Sequence, residues 1–182
     1  MGLLDEALAK ITGLDTAVME EVRVKLANLT KTTGKLGRLE TMIQQYAGIV
    51  RQTQPDKPRT CMVVACADHG VARQGVSAYP IETTAQMTVN YLVPKGASAN
   101  AFANFCGADM VVVDVGVAAD LSHVPGLMAR KIAYGTRDFT EGPAMTREQA
   151  IKAIEVGIEI VNTKAQAGFT CFSLGEMGIG NT

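Results

Sequence analysis

Four short apolar runs, separated by stretches with helical periodicity, constrain the fold of this chain more than any other feature. The runs cover residues 61–67, 110–117, 131–135 and 169–174. Near-continuous apolar strands are typical of a parallel sheet that is covered on both faces. Helical stretches lie at residues 83–92, 98–105 and 146–166. Strands that alternate with helices predict an α/β fold, here a Rossmann-like parallel sheet with flanking helices.

The first 52 residues carry no strand signal and have apolar side chains at helical spacing. These side chains are Leu4, Leu8 and Ile11, followed by Val18, Val22, Leu26 and Leu29. Asp15 and Thr16 are suited to cap a second helix, and the polar segment 52–58 with its two prolines is typical of a linker. We therefore predict a small helical subdomain over residues 1–52 and an α/β domain over residues 58–182.

Composition indicates a soluble globular protein and narrows the choice of partners. The chain has 182 residues, of which 47% are hydrophobic and 19% charged, and its net charge is −1. Because basic residues are not in excess, neither nucleic acid nor an anionic membrane is an expected partner. The apolar runs are too short to span a membrane, and no signal-peptide pattern opens the chain, so we expect a cytoplasmic protein.

Cysteines and histidines give no sign of a metal or redox site. The four cysteines (Cys61, Cys66, Cys106 and Cys171) form no CxxC pair, and we expect them to be buried, inert thiols. With only two histidines, a histidine-rich metal site is not expected, and no cofactor is implied. Acidic residues could still hold Mg²⁺, but nothing in the sequence requires it.

A glycine-rich segment follows the last apolar run. Gly175, Gly178 and Gly180 stand within six residues, where glycine lets the backbone approach a ligand closely. We expect a turn whose N–H groups, with the Thr182 hydroxyl, hold one phosphate; the alternative is an ordinary strand-to-helix turn. Glu176 would lie inside this turn and face a ribose hydroxyl or a cation, because a phosphate would repel it. Its alternative role is a carboxylate at the start of a following helix.

The predicted strands place polar residues where ligands of parallel sheets bind, beyond the carboxyl ends. The segments that leave those ends are residues 68–70, 114–116, 135–138 and 175–178, and each contains glycine and a polar or acidic group. We expect these segments to converge on one edge of the sheet. Asp68 and His69 suggest an acid–base or metal role, although a lone histidine at a strand end is more often structural.

A long excursion, residues 70–80, follows the first run, and loops in this position often carry function. Ser77 and Tyr79 in this loop, with Gln86 and Met87 on the next helix, would form a flat pocket for a planar aromatic ligand. In the alternative interpretation Tyr79 and Met87 are ordinary core residues.

Eight segments together are similar to one known family, in that family's order. They are KLGRLE (35–40), ADHGV (67–71), GVSAYP (75–80), GASAN (96–100), VDVG (113–116), GTRDF (135–139), GPAMT (142–146) and GEMGIGNT (175–182). The combination resembles the nicotinate-nucleotide–dimethylbenzimidazole phosphoribosyltransferase (CobT) family, and specifically its amino-terminal portion.

The resemblance implies transfer of phosphoribose from nicotinate mononucleotide to 5,6-dimethylbenzimidazole or a related base, giving α-ribazole 5′-phosphate in cobalamin nucleotide-loop assembly. The leaving pyridinium needs no general acid. The incoming base must lose a ring proton, so a carboxylate should act as general base. A carboxylate would also stabilise an oxocarbenium-like transition state.

Carried over by position, Ser77, Tyr79, Gln86 and Met87 resemble the family's acceptor-base pocket. The residues similar to its nucleotide-binding stretch are Glu176, Gly178, Gly180, Asn181 and Thr182. Family members are nearly twice as long, and their principal general-base glutamate lies in the part absent here. Glu176 is therefore expected to assist the reaction without replacing that base. The family is usually homodimeric, and we expect the same of this chain.

The sequence leaves two alternatives open. The chain could be a non-catalytic fragment that binds nucleotide and base but lacks the general base. It could also be an unrelated nucleotide-binding regulator of similar α/β architecture, since a fold alone does not determine an activity.

Overall fold

The computed structural model describes residues 2–32 and 34–181, and these residues form six α-helices, one 3₁₀ helix and four strands. In chain order the elements are α1 (Leu3–Lys10), α2 (Thr16–Ala27), α3 (Arg38–Val50), β1 (Thr60–Ala67), the 3₁₀ helix (Gly70–Gln74), α4 (Thr83–Leu92), α5 (Ser98–Cys106), β2 (Asp109–Gly116), β3 (Met128–Ala129), α6 (Arg147–Gln166) and β4 (Cys171–Met177).

The four strands form one parallel sheet in the order β3-β2-β1-β4. The central strand β1 pairs with β2 from Cys61 opposite Asp109 to Ala67 opposite Gly116. It pairs on its other side with β4, and there Cys66 stands opposite Met177. The predicted parallel α/β sheet with flanking helices is confirmed.

Side chains of the sheet alternate between two apolar clusters, one on each face. The first cluster contains Cys61, Val63, Val111 and Val113 of the sheet with Val156 and Ile160 of α6 and Phe169. The second contains Val64, Cys66 and Val112 with Tyr91 of α4 and Val117, Leu121 and Val124. Each fully buried valine contributes about 1.5–3 kcal/mol through the hydrophobic effect. Burial on both faces explains why these strands are apolar at successive positions.

The expectation of a strand at residues 131–135 is wrong. The third strand lies earlier, at Met128–Ala129, where it pairs with Val113 and Asp114 of β2. Beyond it the backbone makes two more bonds to β2, from the N–H of Arg130 to the carbonyl of Asp114 and from the N–H of Ile132 to the carbonyl of Val115, both at 2.9 Å. The segment then leaves the sheet, so its local apolar pattern reflects packing beside β2 and not a ladder.

The last strand, β4, begins and ends later in the chain than the apolar run 169–174 indicates. β4 continues to Met177 because Gly175 and Glu176 pair with Val64 and Ala65 of β1. Gly175 and Glu176 therefore lie in the strand, and the expectation that Glu176 falls inside a turn is wrong.

The helices match their sequence signals closely. α4 has the predicted bounds, and α5 extends one residue further than expected. At the start of α6, the Thr146 hydroxyl accepts the N–H of Gln149 at 3.2 Å, and the Gln149 side chain accepts the N–H of Thr146 at 2.9 Å. This reciprocal capping box satisfies two backbone groups that a helix start would otherwise leave open.

Two compact units divide the chain, and the division after Pro58 falls at the end of the predicted linker. One unit is Ala7–Pro58, and the other runs from Arg59 onward and includes the first residues up to Glu6. Within the first unit, the Asp15 side chain caps α2 by accepting the N–H of Val18 at 3.0 Å. No helix in the described part of the chain has the length and apolar character needed to cross a membrane.

The expectation of four buried thiols holds for only two of them. Cys61 and Cys66 are buried in the sheet, Cys171 is half-buried, and Cys106 is exposed at the end of α5. Cys106 is the last residue of α5 and follows Phe105, which is 89% exposed, so this end of the helix faces solvent.

Burial raises the pKa of the Cys66 thiol from its ordinary value of 9.0 to about 11. The stabilising contribution is fully present below pH 9, where the unfolded thiol is also neutral, and is lost as pH rises through 11. We therefore expect the free energy of unfolding to fall more steeply over this range for the unsubstituted chain than for Cys66→Ala. Urea denaturation at stepped pH measures this, with Cys106→Ala as the exposed control. Parallel curves for the unsubstituted chain and Cys66→Ala would contradict it.

Candidate functional site

Three strand ends meet at the carboxyl edge of the sheet. Because β1, β2 and β4 are parallel, Ala67 stands opposite Gly116 on one side, and Cys66 stands opposite Met177 on the other. His69 follows β1 and Gly178 follows β4. The segments that leave these strands therefore share one edge, where parallel sheets bind their ligands.

A fourth segment, residues 132–138, reaches the same edge without being a strand. The N–H of Thr136 donates to the carbonyl of Asp68 at 3.0 Å, and the Thr136 hydroxyl accepts the N–H of Gly70 at 3.3 Å. Gly135 has φ 91° and packs against Asp68, so a side chain there would be strained and crowded. Gly135 and Gly178 thus flank the end of the same strand.

The turn after β4 packs tightly against β1. A Cβ atom placed on Gly178 would overlap the carbonyl oxygen of Ala67 and lie 2.7 Å from Nε2 of His69. A Cβ on Gly180 would lie 3.3 Å from Ala72 of the 3₁₀ helix. The glycines of this turn are therefore required for close approach of backbone to backbone.

Two N–H groups of the turn are already used within the protein. The N–H of Ile179 donates to the buried hydroxyl of Thr84 at 3.0 Å, and the N–H of Asn181 donates to the carbonyl of Gly178 at 3.1 Å. An anion at this turn would have to rely on other donors. The Thr182 hydroxyl, which the sequence suggests as one of them, lies outside the described residues.

Glu176 and His69 share a cavity of about 310 Å³ at the sheet edge. The other lining residues are Ala65, Ala67, Val115, Met177 and Asn181. The carboxylate of Glu176 is exposed, and it is the only carboxylate among the described residues that line this space. The cavity therefore combines an apolar body with an acid, an imidazole and an amide at its rim.

His69 also lines a smaller cavity of about 110 Å³. Ala67, His69 and Val115 line both, and the smaller cavity is completed mainly by apolar residues, including Ile132, Ala133 and Met145. No described residue forms a hydrogen bond or ion pair with the His69 ring within the chain. His69 is thus placed to contact a ligand in either space.

The four residues expected to hold the acceptor base lie on one continuous stretch. The Ser77 hydroxyl accepts the N–H of Tyr79 at 3.2 Å, and the Tyr79 side chain is 67% exposed, so it is not a core residue. On α4, Gln86 is exposed, whereas Met87 packs against the apolar cluster that contains Val64. Among the described residues, none of these four lines the two cavities beside His69.

The two aspartates near the strand ends, Asp68 and Asp114, are buried and bonded to groups within the protein. The buried Asp114 accepts the N–H groups of Gly116 and Val117 and pairs with Lys131, whose Nζ lies 2.9 Å away. Asp68 is also buried and accepts the N–H of Ala118 at 2.6 Å. Within residues 2–32 and 34–181, no three histidine, cysteine or acidic residues cluster to suit a metal ion.

Comparison with known proteins places this geometry in a family. A phosphoribosyltransferase family model matches residues 11–182. Proteins named nicotinate-nucleotide–dimethylbenzimidazole phosphoribosyltransferase, from Geotalea uraniireducens and Geobacter sulfurreducens, are 47% and 46% identical over all 182 residues. The chain belongs to the CobT family.

Solved structures agree with this assignment. Two crystal structures from Thermus thermophilus, one described as CobT and one by the full enzyme name, share 41% identity with this chain. Their TM-scores are 0.85 and 0.87, over 91% and 92% of this chain. The match covers 49% and 51% of those two chains. Similarly, the chain spans about half the length (51%) of the curated relatives.

Sequence reasoning missed two contributions to this CobT-family site. One is Thr84, whose hydroxyl accepts the N–H of Ile179, 95 residues away, in the turn that follows β4 (called the terminal turn below). The other is Lys131, which donates to the carbonyl oxygens of Val117 and Ala119 in addition to pairing with Asp114. Neither residue can be recognised from the local sequence, because each bonds to partners that are distant in the chain.

Gly178→Ala should disturb the site, because the added methyl group has no room between Ala67 and His69. We expect the free energy of unfolding to fall by about 1–3 kcal/mol, the usual cost of overpacking. The imidazole signals of His69 should also shift in NMR spectra. Gly142→Ala is the matched control, since a methyl group there meets nothing within 4 Å. Stability and His69 signals equal to those of the unsubstituted chain would contradict the close contact of Gly178 with Ala67 and His69.

Proposed function

We propose that this chain supplies the nucleotide- and base-binding half of an enzyme that transfers phosphoribose from nicotinate mononucleotide to 5,6-dimethylbenzimidazole or a related base. The products are α-ribazole 5′-phosphate and nicotinate. Membership of the CobT family supports this activity, and the relatives quoted above carry its name. The assignment would make the chain part of a transferase of cobalamin nucleotide-loop assembly.

The observation that carries the proposal is the cavity shared by Glu176, His69 and Asn181. Its volume of about 310 Å³ lies at the lower end of the range usual for small-molecule pockets. Polar groups from the ends of β1 and β4 meet there beside apolar walls. Such a space suits a ribose with its flat base on the apolar side.

Glu176 is the group in this cavity suited to proton transfer and charge stabilisation. Departure of nicotinate from a pyridinium nucleotide needs no proton, whereas the attacking benzimidazole must lose one. A carboxylate beside the anomeric carbon would also stabilise positive charge that develops there. We assign Glu176 an assisting role. Gly178, Gly180, Asn181 and Thr182 would hold the nucleotide.

The acceptor base is proposed to contact Ser77, Tyr79, Gln86 and Met87. These residues lie on the segment that leads into α4 and on its first turns, and Thr84 of that helix bonds the terminal turn. The exposed Tyr79 ring offers a flat apolar face, and the thioether of Met87 is adaptable in shape. This arrangement suits a planar heterocycle brought alongside the nucleotide.

A second candidate is a binding module without turnover. It is favoured by the cavity having a single described carboxylate, Glu176, so that one residue would have to serve both proton transfer and charge stabilisation. Binding of nicotinate mononucleotide without formation of α-ribazole 5′-phosphate would select this candidate.

Calorimetry of the 182-residue chain with nicotinate mononucleotide tests the proposed site. We expect saturable binding that Asn181→Ala weakens about tenfold or more, as for loss of a hydrogen bond to a charged group. Glu176→Gln should leave binding nearly unchanged and lower any turnover to α-ribazole 5′-phosphate. The control is Glu148→Gln, an exposed carboxylate at the start of α6. If nicotinate mononucleotide does not bind, or if Asn181→Ala binds it equally well, the assignment of this cavity is wrong.

We further propose a cytoplasmic homodimer. Support comes from α3, where Leu39, Met42 and Ile49 repeat at helical spacing on one face and are 62%, 59% and 56% exposed. Apolar faces of this kind commonly mark interaction surfaces.

Light scattering should give a mass above the 19.3 kDa of one chain. The paired change Leu39→Lys with Met42→Lys should return the mass to that of a monomer, because charged side chains oppose burial. Phe105→Ser is the matched control, since it removes an exposed apolar ring from α5. A clean monomer in the unsubstituted chain would refute the proposed dimer.

A further inference from the structure

A second cavity, of about 470 Å³, lies between the 3₁₀ helix and the loop 136–143. Its lining includes two arginines, Arg73 and Arg137, and two carboxylates, Asp138 and Glu141. The proposed reaction uses none of these four side chains. The cavity shares Thr136 with the small space beside His69, but it contains no residue of the cavity that holds Glu176.

Hydrogen bonds and close packing fix the walls of this cavity. Gly70 touches the opposite loop so closely that a Cβ atom there would lie 2.5 Å from both the carbonyl carbon of Arg137 and the nitrogen of Asp138. The amide of Gln74 donates to Asp138 at 2.7 Å across the cavity, and the N–H of Arg137 donates to the carbonyl of Ala144 at 2.9 Å. A ligand would therefore meet a site that needs little rearrangement.

Asp138 keeps its negative charge, but it forms no ion pair with Arg73 or Arg137 among the described residues, and both its oxygens accept bonds from neutral groups. One accepts the amide of Gln74, and the other accepts the N–H and hydroxyl of Thr140 at 2.9 and 2.7 Å. The bonds from Gln74 and Thr140 hold the pKa of Asp138 below its usual value, so it remains a satisfied anion.

Both guanidinium groups are left for a ligand. In the part of the chain that the structure describes, neither Arg73 nor Arg137 has a side-chain hydrogen bond or an ion pair. Guanidinium groups bind phosphate through paired N–H donors, which makes arginine the usual residue for this task. Glu141 also has no side-chain partner among the described residues, and its carboxylate accepts hydrogen bonds from hydroxyl groups.

We propose that this cavity binds a phosphorylated pentose, with Arg73 and Arg137 on the phosphate and Glu141 on the sugar hydroxyls. Two cations and one free carboxylate match a ligand that has a phosphate at one end and hydroxyl groups at the other. The volume accommodates a pentose phosphate, either free or as part of a nucleotide. The site lies apart from the Glu176 cavity and does not depend on the transfer reaction proposed above.

Calorimetry of the 182-residue chain with inorganic phosphate, ribose 5-phosphate, AMP and ribose tests this site. We expect ribose 5-phosphate to bind more tightly than inorganic phosphate, and ribose alone not to bind. AMP binding as tightly as ribose 5-phosphate would identify a nucleotide ligand, and weaker AMP binding a free sugar phosphate. Arg73→Gln and Arg137→Gln should each lower the affinity for ribose 5-phosphate and for inorganic phosphate about tenfold, which is the effect of losing one charged hydrogen bond.

Glu141→Gln should weaken the binding of ribose 5-phosphate, whereas inorganic phosphate should bind at least as tightly as it does to the unsubstituted chain. The matched control is Arg38→Gln, an exposed arginine of α3 in the other compact unit. Asn181→Ala alters the cavity of Glu176 and not this one, so it should leave unchanged the ribose 5-phosphate binding that the two arginine variants weaken. The proposal is overturned if ribose 5-phosphate does not bind saturably, if the arginine variants bind it unchanged, or if Asn181→Ala is the variant that weakens it.

Discussion

The pairing of β1 with neighbours on both sides is the interaction on which the rest of this structure depends. The backbone of β1 is hydrogen-bonded to β2 on one side and to β4 on the other, each in a fixed register. Its side chains alternate between the two apolar clusters. A slip of one residue would move Val64 and Cys66 to the opposite face and exchange the two clusters. The same slip would carry His69 away from Gly178, so the register that builds the core also builds the cavity.

Much of this fold could be predicted from sequence, because the signals that determine it are local. Apolar runs around Val64 and Val112 are continuous since both faces are covered, and the Thr146 and Gln149 pair marks the start of α6. Local patterns were insufficient at β4. Whether Gly175 and Glu176 extend the strand is decided by their partners on β1, and a glycine followed by a glutamate carries no strand signal by itself.

The candidate site was predictable in outline and not in detail. Glycines at strand ends indicate where a ligand can approach, and the sheet does bring Gly135 and Gly178 to the end of β1. The sequence does not reveal which N–H groups of the terminal turn are free to bind a ligand. One of them already donates to Thr84, which lies on a helix distant in the chain. For the same reason the cavity of Arg73 and Arg137 has no signature in sequence, since its two walls are more than sixty residues apart.

The ion pair of Lys131 with Asp114 differs in kind from that of Arg130 with Glu159. Asp114 is 4% exposed at its side chain, whereas Arg130 and Glu159 are 41% and 47% exposed. Mobile ions screen exposed charges effectively and buried charges much less. A high salt concentration would therefore weaken the ion pair of Arg130 with Glu159, which joins α6 to the residue after β3. The pair of Lys131 with Asp114, beside the loop that follows β2, would be weakened much less. Two adjacent residues, Arg130 and Lys131, thereby give neighbouring parts of one protein very different sensitivities to ionic strength.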